Sequence, residues 1–325
     1  MDKPSVSIIV PHFNTPDSLE HLIQSIPMRE DFEVIVVDDN STNVTVEQLQ
    51  ERLQKYTSVA VYRNDSGIKG AGASRNVGLS HAAGEWLLFA DADDFFTGQF
   101  EEKVTAYLTS EYDMVYFPPT SMDVVTGQPS SRHVMYSELV HAYHDKATER
   151  NLTEMKYLFC TPWSKLIRRS VFEKNGIQFD PVMVSNDIMA MTKSAYYSQK
   201  VGTCADVIYC VTRGGKTLTS KKNDANFDMR IDVLIRRYTF LRDHLEKKQF
   251  KYAHIDRLAL GKLVDVVIEH WGIRKFFEIL HKYHKAGVHY FDIGLLNPVT
   301  VWHKAKIELA WWADIKKHRS PDERK

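Results

Sequence analysis

The 325-residue sequence has only three cysteines, Cys160, Cys204 and Cys210. An odd number at these spacings makes neither a disulfide framework nor a paired CxxC zinc site, so a reducing compartment is expected. Net charge is lacking too: 42 Lys plus Arg balance 42 Asp plus Glu. That removes the general electrostatic reason to expect a nucleic-acid partner. No uninterrupted apolar run approaches the about 18–20 residues that cross a bilayer. Met1-Asp2-Lys3-Pro4-Ser5 leads straight into a short apolar strand, without the longer apolar core of a signal peptide. The expectation is a chain that neither spans a membrane nor is exported by a cleaved signal. Glycine (15) and proline (11) are too scarce for a collagen-like or low-complexity chain, and no internal repeat is seen.

A hydrophobic share of 43% suits a folded core, and the length suits one large domain or two ordinary ones. The charge balance hides an asymmetry. Residues 1–220 carry 20 basic and 28 acidic side chains, whereas 221–325 carry 22 and 14, so the two parts are expected to do different work.

Val6-Ser7-Ile8-Ile9-Val10 reads as a strand buried on both faces, ended by Pro11. Asp17 and Glu20 then read as a capping box for a helix carrying Leu19, Leu22, Ile23 and Ile26. The alternation repeats: strand 34–37, helix 46–53, strand 59–62, helix 73–81, strand 86–90. This predicts an α/β fold with a doubly wound sheet. Beyond about residue 110 the rhythm loosens, with strands near 114–117 and 207–211. From about residue 226 the pattern is helical, one stripe holding Met229, Val233, Leu234 and Tyr238, and a less regular one Leu258, Leu260, Val264 and Ile268.

Ligands of open α/β sheets bind beyond the carboxyl ends of the strands. The second strand ends in Asp38-Asp39-Asn40-Ser41 and the fourth in Asp91-Ala92-Asp93-Asp94. In extended backbone side chains alternate, so Asp91 and Asp93 point the same way while Ala92 points back to the protein. Two carboxylates on one rim suit Mg²⁺ or Mn²⁺, which completes its shell with water and substrate phosphate, so a diphosphate substrate is expected. An ionised carboxylate beside a buried strand needs a partner, a metal or water, so packing alone does not explain Asp39 and Asp93. The glycine segment Gly67-Ile68-Lys69-Gly70-Ala71-Gly72 is neither GxGxxG nor GxxxxGK[ST] and reads as a flexible loop. His281 with His284, and His141 with His144, have no third ligand at metal spacing and read as surface residues.

Ser7-Ile8-Ile9-Val10-Pro11-His12-Phe13-Asn14, Val36-Val37-Asp38-Asp39-Asn40-Ser41, Gly72-Ala73-Ser74-Arg75-Asn76-Val77-Gly78-Leu79 and Phe89-Ala90-Asp91-Ala92-Asp93-Asp94 follow one another in fixed order. In order and spacing they resemble the inverting family 2 glycosyltransferases of GT-A fold found in bacterial surface-polysaccharide synthesis. Pro162-Trp163-Ser164-Lys165-Leu166 resembles the family's Trp-x-Lys segment, and Ser185-Asn186-Asp187 falls where its acidic pair lies. The resemblance covers roughly residues 5–220. It implies a Rossmann-like, mostly parallel central sheet flanked by helices, with a nucleotide-sugar half at about 1–110 and an acceptor half at about 111–220. The basic helical region 221–325 follows.

By the same resemblance, Pro11, Phe13 and Asp39 hold the nucleotide base, Phe13 by stacking and Asp39 by accepting from a uracil ring. Asp91 and Arg75 meet the nucleotide sugar, Asp93 is the ligand of Mn²⁺ or Mg²⁺, and Asp187 is the catalytic base. Trp163 and Lys165 fall in the acceptor region. Tyr209, Arg213 and Thr217 resemble a lid segment able to approach the diphosphate. The chain departs from the family in having Asn186 where Glu is usual, which bears on the electrostatic setting of the base. Packing is the rival reading for Phe13 and Trp163, and a surface charge for Arg75.

The implied activity is transfer of one sugar from a nucleotide sugar, a UDP-sugar, to a glycan or lipid-linked saccharide acceptor in capsule, exopolysaccharide or lipopolysaccharide synthesis. With no Gln-x-x-Arg-Trp motif and no membrane span, single addition is expected over processive synthesis. A sugar-nucleotidyltransferase shares much of the architecture, but its Gly-rich N-terminal loop is replaced here by Pro11-His12-Phe13-Asn14. A degenerate scaffold or glycan-binding subunit is the non-enzymatic alternative. In residues 302–317, Trp302, Ala305, Leu309 and Trp312 share a helical face beside Lys304, Lys306, Lys316 and Lys317. This face reads either as a contact with anionic membrane, giving a cytoplasmic protein peripheral on the inner face of the bacterial membrane, or as packing on the catalytic domain or another subunit. The oligomeric state stays open.

Overall fold

The computed structural model describes residues 4–214 and 223–290. The elements run β1 (Val6–His12), α1 (Pro16–Gln24), β2 (Phe32–Asp38), α2 (Val46–Leu53), β3 (Val59–Arg63), α3 (Ala71–His81), β4 (Trp86–Phe89), β5 (Phe95–Phe96), α4 (Phe100–Thr105), β6 (Met114–Tyr116) and β7 (Thr120–Asp123). Then come α5 (Val134–Asp145), α6 (Glu149–Leu158), β8 (Lys165–Arg168), α7 (Arg169–Lys174), α8 (Ile188–Tyr197), β9 (Val201–Thr203) and β10 (Tyr209–Arg213). Among the described residues four helices follow: α9 (Asp224–His244), α10 (Lys247–Tyr252), α11 (Ile255–Ile268) and α12 (Ile273–Ala286).

Seven strands form one sheet in the order β3-β2-β1-β4-β8-β6-β9, parallel except for β8. Every residue of β1 and β4 is buried, which matches their unbroken apolar sequence. Strand order reverses between β1 and β4, so the crevice of this α/β sheet opens beyond their carboxyl ends. A second sheet, β5-β10-β7, stands beside that end, with β5 following directly on residues 91–94.

Several local expectations are corrected. Pro11 does not end β1, which runs on to His12. The last β1–β4 pair is Ile9 with Phe89, and Ile9 O accepts from Ala90 N–H on that side. Alternation turns the imide of Pro11 to the same side, past the end of β4, where no ladder bond is lost. Helix α1 starts at Pro16 after Thr15, without a side-chain cap. Asp17 and Glu20 bind Arg52 instead, while the capping box is on α2, between Thr45 and Gln48. The glycine segment is not a loose loop: Gly70 (φ 118°) immediately precedes α3. A Cβ on Gly72 would lie 2.3 Å from Asp180 O and 2.8 Å from Asn186 Cβ, so only glycine lets α3 approach that segment. The late strand is β10, shifted two residues from the expected 207–211.

The first compact unit ends at Arg237 and the second begins at Tyr238, inside α9; the sequence reading puts the change near residue 220. In the second unit α11 buries Ile255, Ala259, Leu263 and Val266, while Leu258, Val264 and Ile268 are exposed. The expected stripe therefore faces outward. The basic amphipathic pattern at 302–317 and Thr217 lie outside the described residues.

Candidate active site

The loops after β1, β2 and β3 are tied by side chains placed where each strand stops. Asn14, at φ 58°, accepts from Thr42 N–H at 2.7 Å, and its own N–H donates to Ser41 Oγ at 2.9 Å. Asn64 donates to Asp39 Oδ1 at 2.5 Å and to Ile68 O at 2.8 Å, while Gly70 N–H donates to Asp39 Oδ2 at 2.7 Å. Asp39 is thus buried at the carboxyl end of β2 with a donor on each oxygen. Below it, His12 Nδ1 lies 2.8 Å from Asp38 Oδ1 and Nε2 accepts from Thr15 N–H, the pattern of a neutral ring protonated at Nδ1. Burial raises the Asp38 carboxyl, but hydrogen bonds from His12 and Ser41 more than offset it, and the net shift is downward. Above this rim Phe13 is 48% exposed, so its ring is not core packing.

The other wall carries charge. Residues 91–94 turn rather than extend, because Asp94 N–H bonds Asp91 O at 3.0 Å. The expected alternation of Asp91 and Asp93 is therefore replaced by a turn braced from β10. Tyr209 OH accepts from Asp91 N–H and donates to Asp94 Oδ2 at 2.8 Å. Thr212 N–H reaches Asp94 Oδ1 at 2.7 Å, and Thr212 Oγ1 donates to Asp93 O at 2.6 Å. Asp94 is held well above the carboxylate range by burial and by Asp91 and Asp93. Asp93 reaches solvent, yet enclosure by the surrounding protein and then the Asp91 charge also push it upward.

Arg75 joins the two sides. It is buried in α3, donates from Nη2 to Asp91 Oδ1 at 2.5 Å and from Nη1 to Asn186 Oδ1 at 2.9 Å, and lies over the Phe179 ring. It is not a surface charge. Its buried Nε has no hydrogen-bond partner among the described residues. The adjacent Asn76 grips the backbone of Phe179 at both N–H and O (2.8 and 2.9 Å), and Gly72 presses on Asp180 and Asn186. Segment 179–187 is thereby fastened to α3.

Asp187 follows directly, half-buried at the start of α8, without capping it through its side chain. Burial raises its pKa; Arg75 and Lys165 pull it back and Asp91 pushes it up, with a net upward shift. Lys165 is buried, donates to Thr161 O, and sits 3.6 Å from the Phe159 ring centre. Burial lowers its pKa to about 7, against the upward pull of Cys160 and Asp187. Trp163 is buried as well, stacked on Tyr209 and edge-on to Tyr136 and Phe159, so the packing reading holds for it in this conformation. Arg213 ends β10, partly exposed, its carbonyl accepting from Val124 N–H.

The structure thus brings Arg75, Asp91, Asp93 and Asp187 to one wall and Pro11, Phe13 and Asp39 to the other rim. Sequence reasoning missed the braces Asn64, Asp94 and Thr212 and the link through Asn186. Asp94 carried a signal as the third acid of its run, and Asn186 carried one as the departure from the usual Glu beside Asp187.

The glycosyl transferase family 2 profile matches residues 7–176, more than half of the chain, and the protein belongs to this family. The sequence is 26% identical over 221 residues to the poly(ribitol-phosphate) beta-glucosyltransferase of Bacillus spizizenii, covering 66% of this chain and 33% of that protein. It is 25% identical, again over 66% of this chain and over 37% of the relative, to the poly(ribitol-phosphate) beta-N-acetylglucosaminyltransferase TarS of Staphylococcus aureus. The chain thus spans about a third of the length of these relatives. The crystal structure of S. aureus TarS 1–349 with UDP-GlcNAc superposes with a TM-score of 0.61 at 23% identity, over 80% of this chain and 71% of that one. The mannosyltransferase PcManGT of Pyrobaculum calidifontis, with GDP-Man and Mn²⁺, gives 0.54 at 18%, over 96% and 81%. These likenesses establish a GT-A fold followed by C-terminal helices.

Proposed function

We propose that the protein is an inverting glycosyltransferase that moves one sugar from a UDP-sugar to a glycan or lipid-linked acceptor in bacterial surface-polysaccharide synthesis, at the inner face of the membrane. The observation that carries this reading is Arg75, a buried cation bonded to Asp91 on the donor side and to Asn186 beside Asp187 on the other. The names of the relatives, UDP-GlcNAc bound to TarS among them, support the donor class.

In this reading Phe13 stacks on the base and Asp39 accepts from its ring. Asp187, whose raised pKa suits a proton acceptor, takes the acceptor hydroxyl proton as that oxygen bonds to the anomeric carbon. The bond to the diphosphate breaks with its electron pair leaving on UDP. One base and no enzyme nucleophile gives inversion, and the Arg75 link holds donor and base in one frame.

Among the described residues no group of three or more His, Cys, Asp or Glu is arranged to hold a metal unaided. The exposed, upward-shifted carboxyl of Asp93 beside Asp91 nevertheless fits Mn²⁺ or Mg²⁺ shared with a diphosphate. Such an ion would neutralise charge on the leaving diphosphate.

The test is a thermal-shift series with UDP, UDP-GlcNAc, UDP-glucose and GDP-mannose, each with and without Mn²⁺, followed by transfer to poly(ribitol phosphate). A UDP-sugar that stabilises only with Mn²⁺, an effect lost in Asp93→Asn, supports the reading. Absence of any nucleotide effect would sink it.

A further inference from the structure

The second unit shows an apolar surface that the site does not use. Helices α11 and α12 form a pair in which Tyr283 OH donates to Ala259 O at 3.2 Å and Ile279 and Tyr283 are buried. At the end where α11 runs into α12, Val267 (62% exposed), Ile268, Ile273 (71%) and Phe277 (61%) are open to solvent. At about 100° per residue, Ile273, Phe277, His281 and His284 fall on one side of α12, with Arg274, Lys285 and Glu278 along one edge of it. This is the side opposite the buried Ile279. Four Lys or Arg against the single Glu278 make α12 strongly basic.

We propose that this corner docks on an anionic lipid bilayer, Ile273 and Phe277 entering the headgroup boundary while Arg274 and Lys285 meet lipid phosphates. Charge selects the occupant. A second copy would bring two basic helices together, whereas an anionic surface offsets the positive rim and covers the apolar residues. Trp, Lys and Leu continue the same mixture in the sequence beyond residue 300. The biological meaning rests on the proposed function, since a lipid-linked acceptor would then share the surface. The binding itself does not depend on it.

The test is sedimentation of the full chain, without nucleotide, with vesicles of phosphatidylcholine alone or mixed with phosphatidylglycerol. Binding is expected only to the mixed vesicles and should fall with salt. It should weaken by roughly 30-fold in Arg274→Gln/Lys285→Gln, and at least roughly tenfold in Ile273→Ser/Phe277→Ser. All four positions are exposed, so an unchanged melting temperature verifies folding. No binding, equal binding to both vesicle types, or binding retained in both variants overturns the proposal. So does a dimer in light scattering that Phe277→Ser dissolves, which would assign the face to a second copy. Vesicle binding without sugar transfer would fail the transferase reading alone.

Discussion

On the side of the cleft formed by the loops after β1, β2 and β3, mostly neutral side chains answer one another: Asn14 with Ser41 and Thr42, Asn64 with Asp39, His12 with Asp38. On the side formed by residues 91–94 and 179–187, charges are crowded and incompletely answered. Asp93, Asp94 and Asp187 are all shifted upward, and the buried Arg75 Nε has no partner among the described residues. The first side is organised before any ligand arrives. The second carries an electrostatic cost that a ligand can relieve, a common property of reaction centres.

The largest test of that contrast is Asp187→Asn. Turnover should fall by about 10²–10⁴-fold, with UDP-sugar affinity nearly unchanged in calorimetry. The same variant should melt higher than the parent at pH 7. An acid with a raised folded pKa holds its proton longer when folded, so stability falls as pH rises from the unfolded value of about 3.9 through the folded one. The gain should therefore vanish in melts below about pH 4. A lower melting temperature at pH 7 would remove the claim of stored cost.

Phe13→Ala probes the prepared side. Loss of stacking should weaken UDP binding by about 1–3 kcal/mol in titration calorimetry, with little change in melting temperature because the ring is exposed. Smaller still is Asn186→Asp. A second carboxylate on Arg75 diverts its charge from Asp187, so the acid limb of kcat/KM against pH should move to higher pH; an unmoved limb would separate Arg75 from the base. At the bottom of the scale, Thr45→Ala removes the α2 capping box and should cost about 1 kcal/mol in denaturant unfolding while sparing turnover.

The alternation from β1 to β4 was legible because apolar strands and amphipathic helices follow from local pattern, and the strand-end acids marked the cleft. What escaped depends on partners far away in the chain. The turn at residues 91–94 is set by a backbone bond and by Tyr209 and Thr212, which nothing near Asp91 announces. For Arg75 the sequence leaves a donor contact and a surface charge as rival readings, because Asn186, to which it bonds, is 111 positions away. Pro11 misled for the opposite reason, since its effect depends on where the neighbouring strand stops. On α11 the apolar residues outnumber the positions that a single buried face can take.

The contact at Gly72 bears on recombination among relatives. Because a single methyl there would strike Asp180 and Asn186, and Arg75 and Asn76 grip the same segment, the halves before and after residue 110 are not interchangeable modules. A chimaera that imports another protein's residues after position 110 should assemble only if α3 and the 179–187 segment are inherited from the same parent.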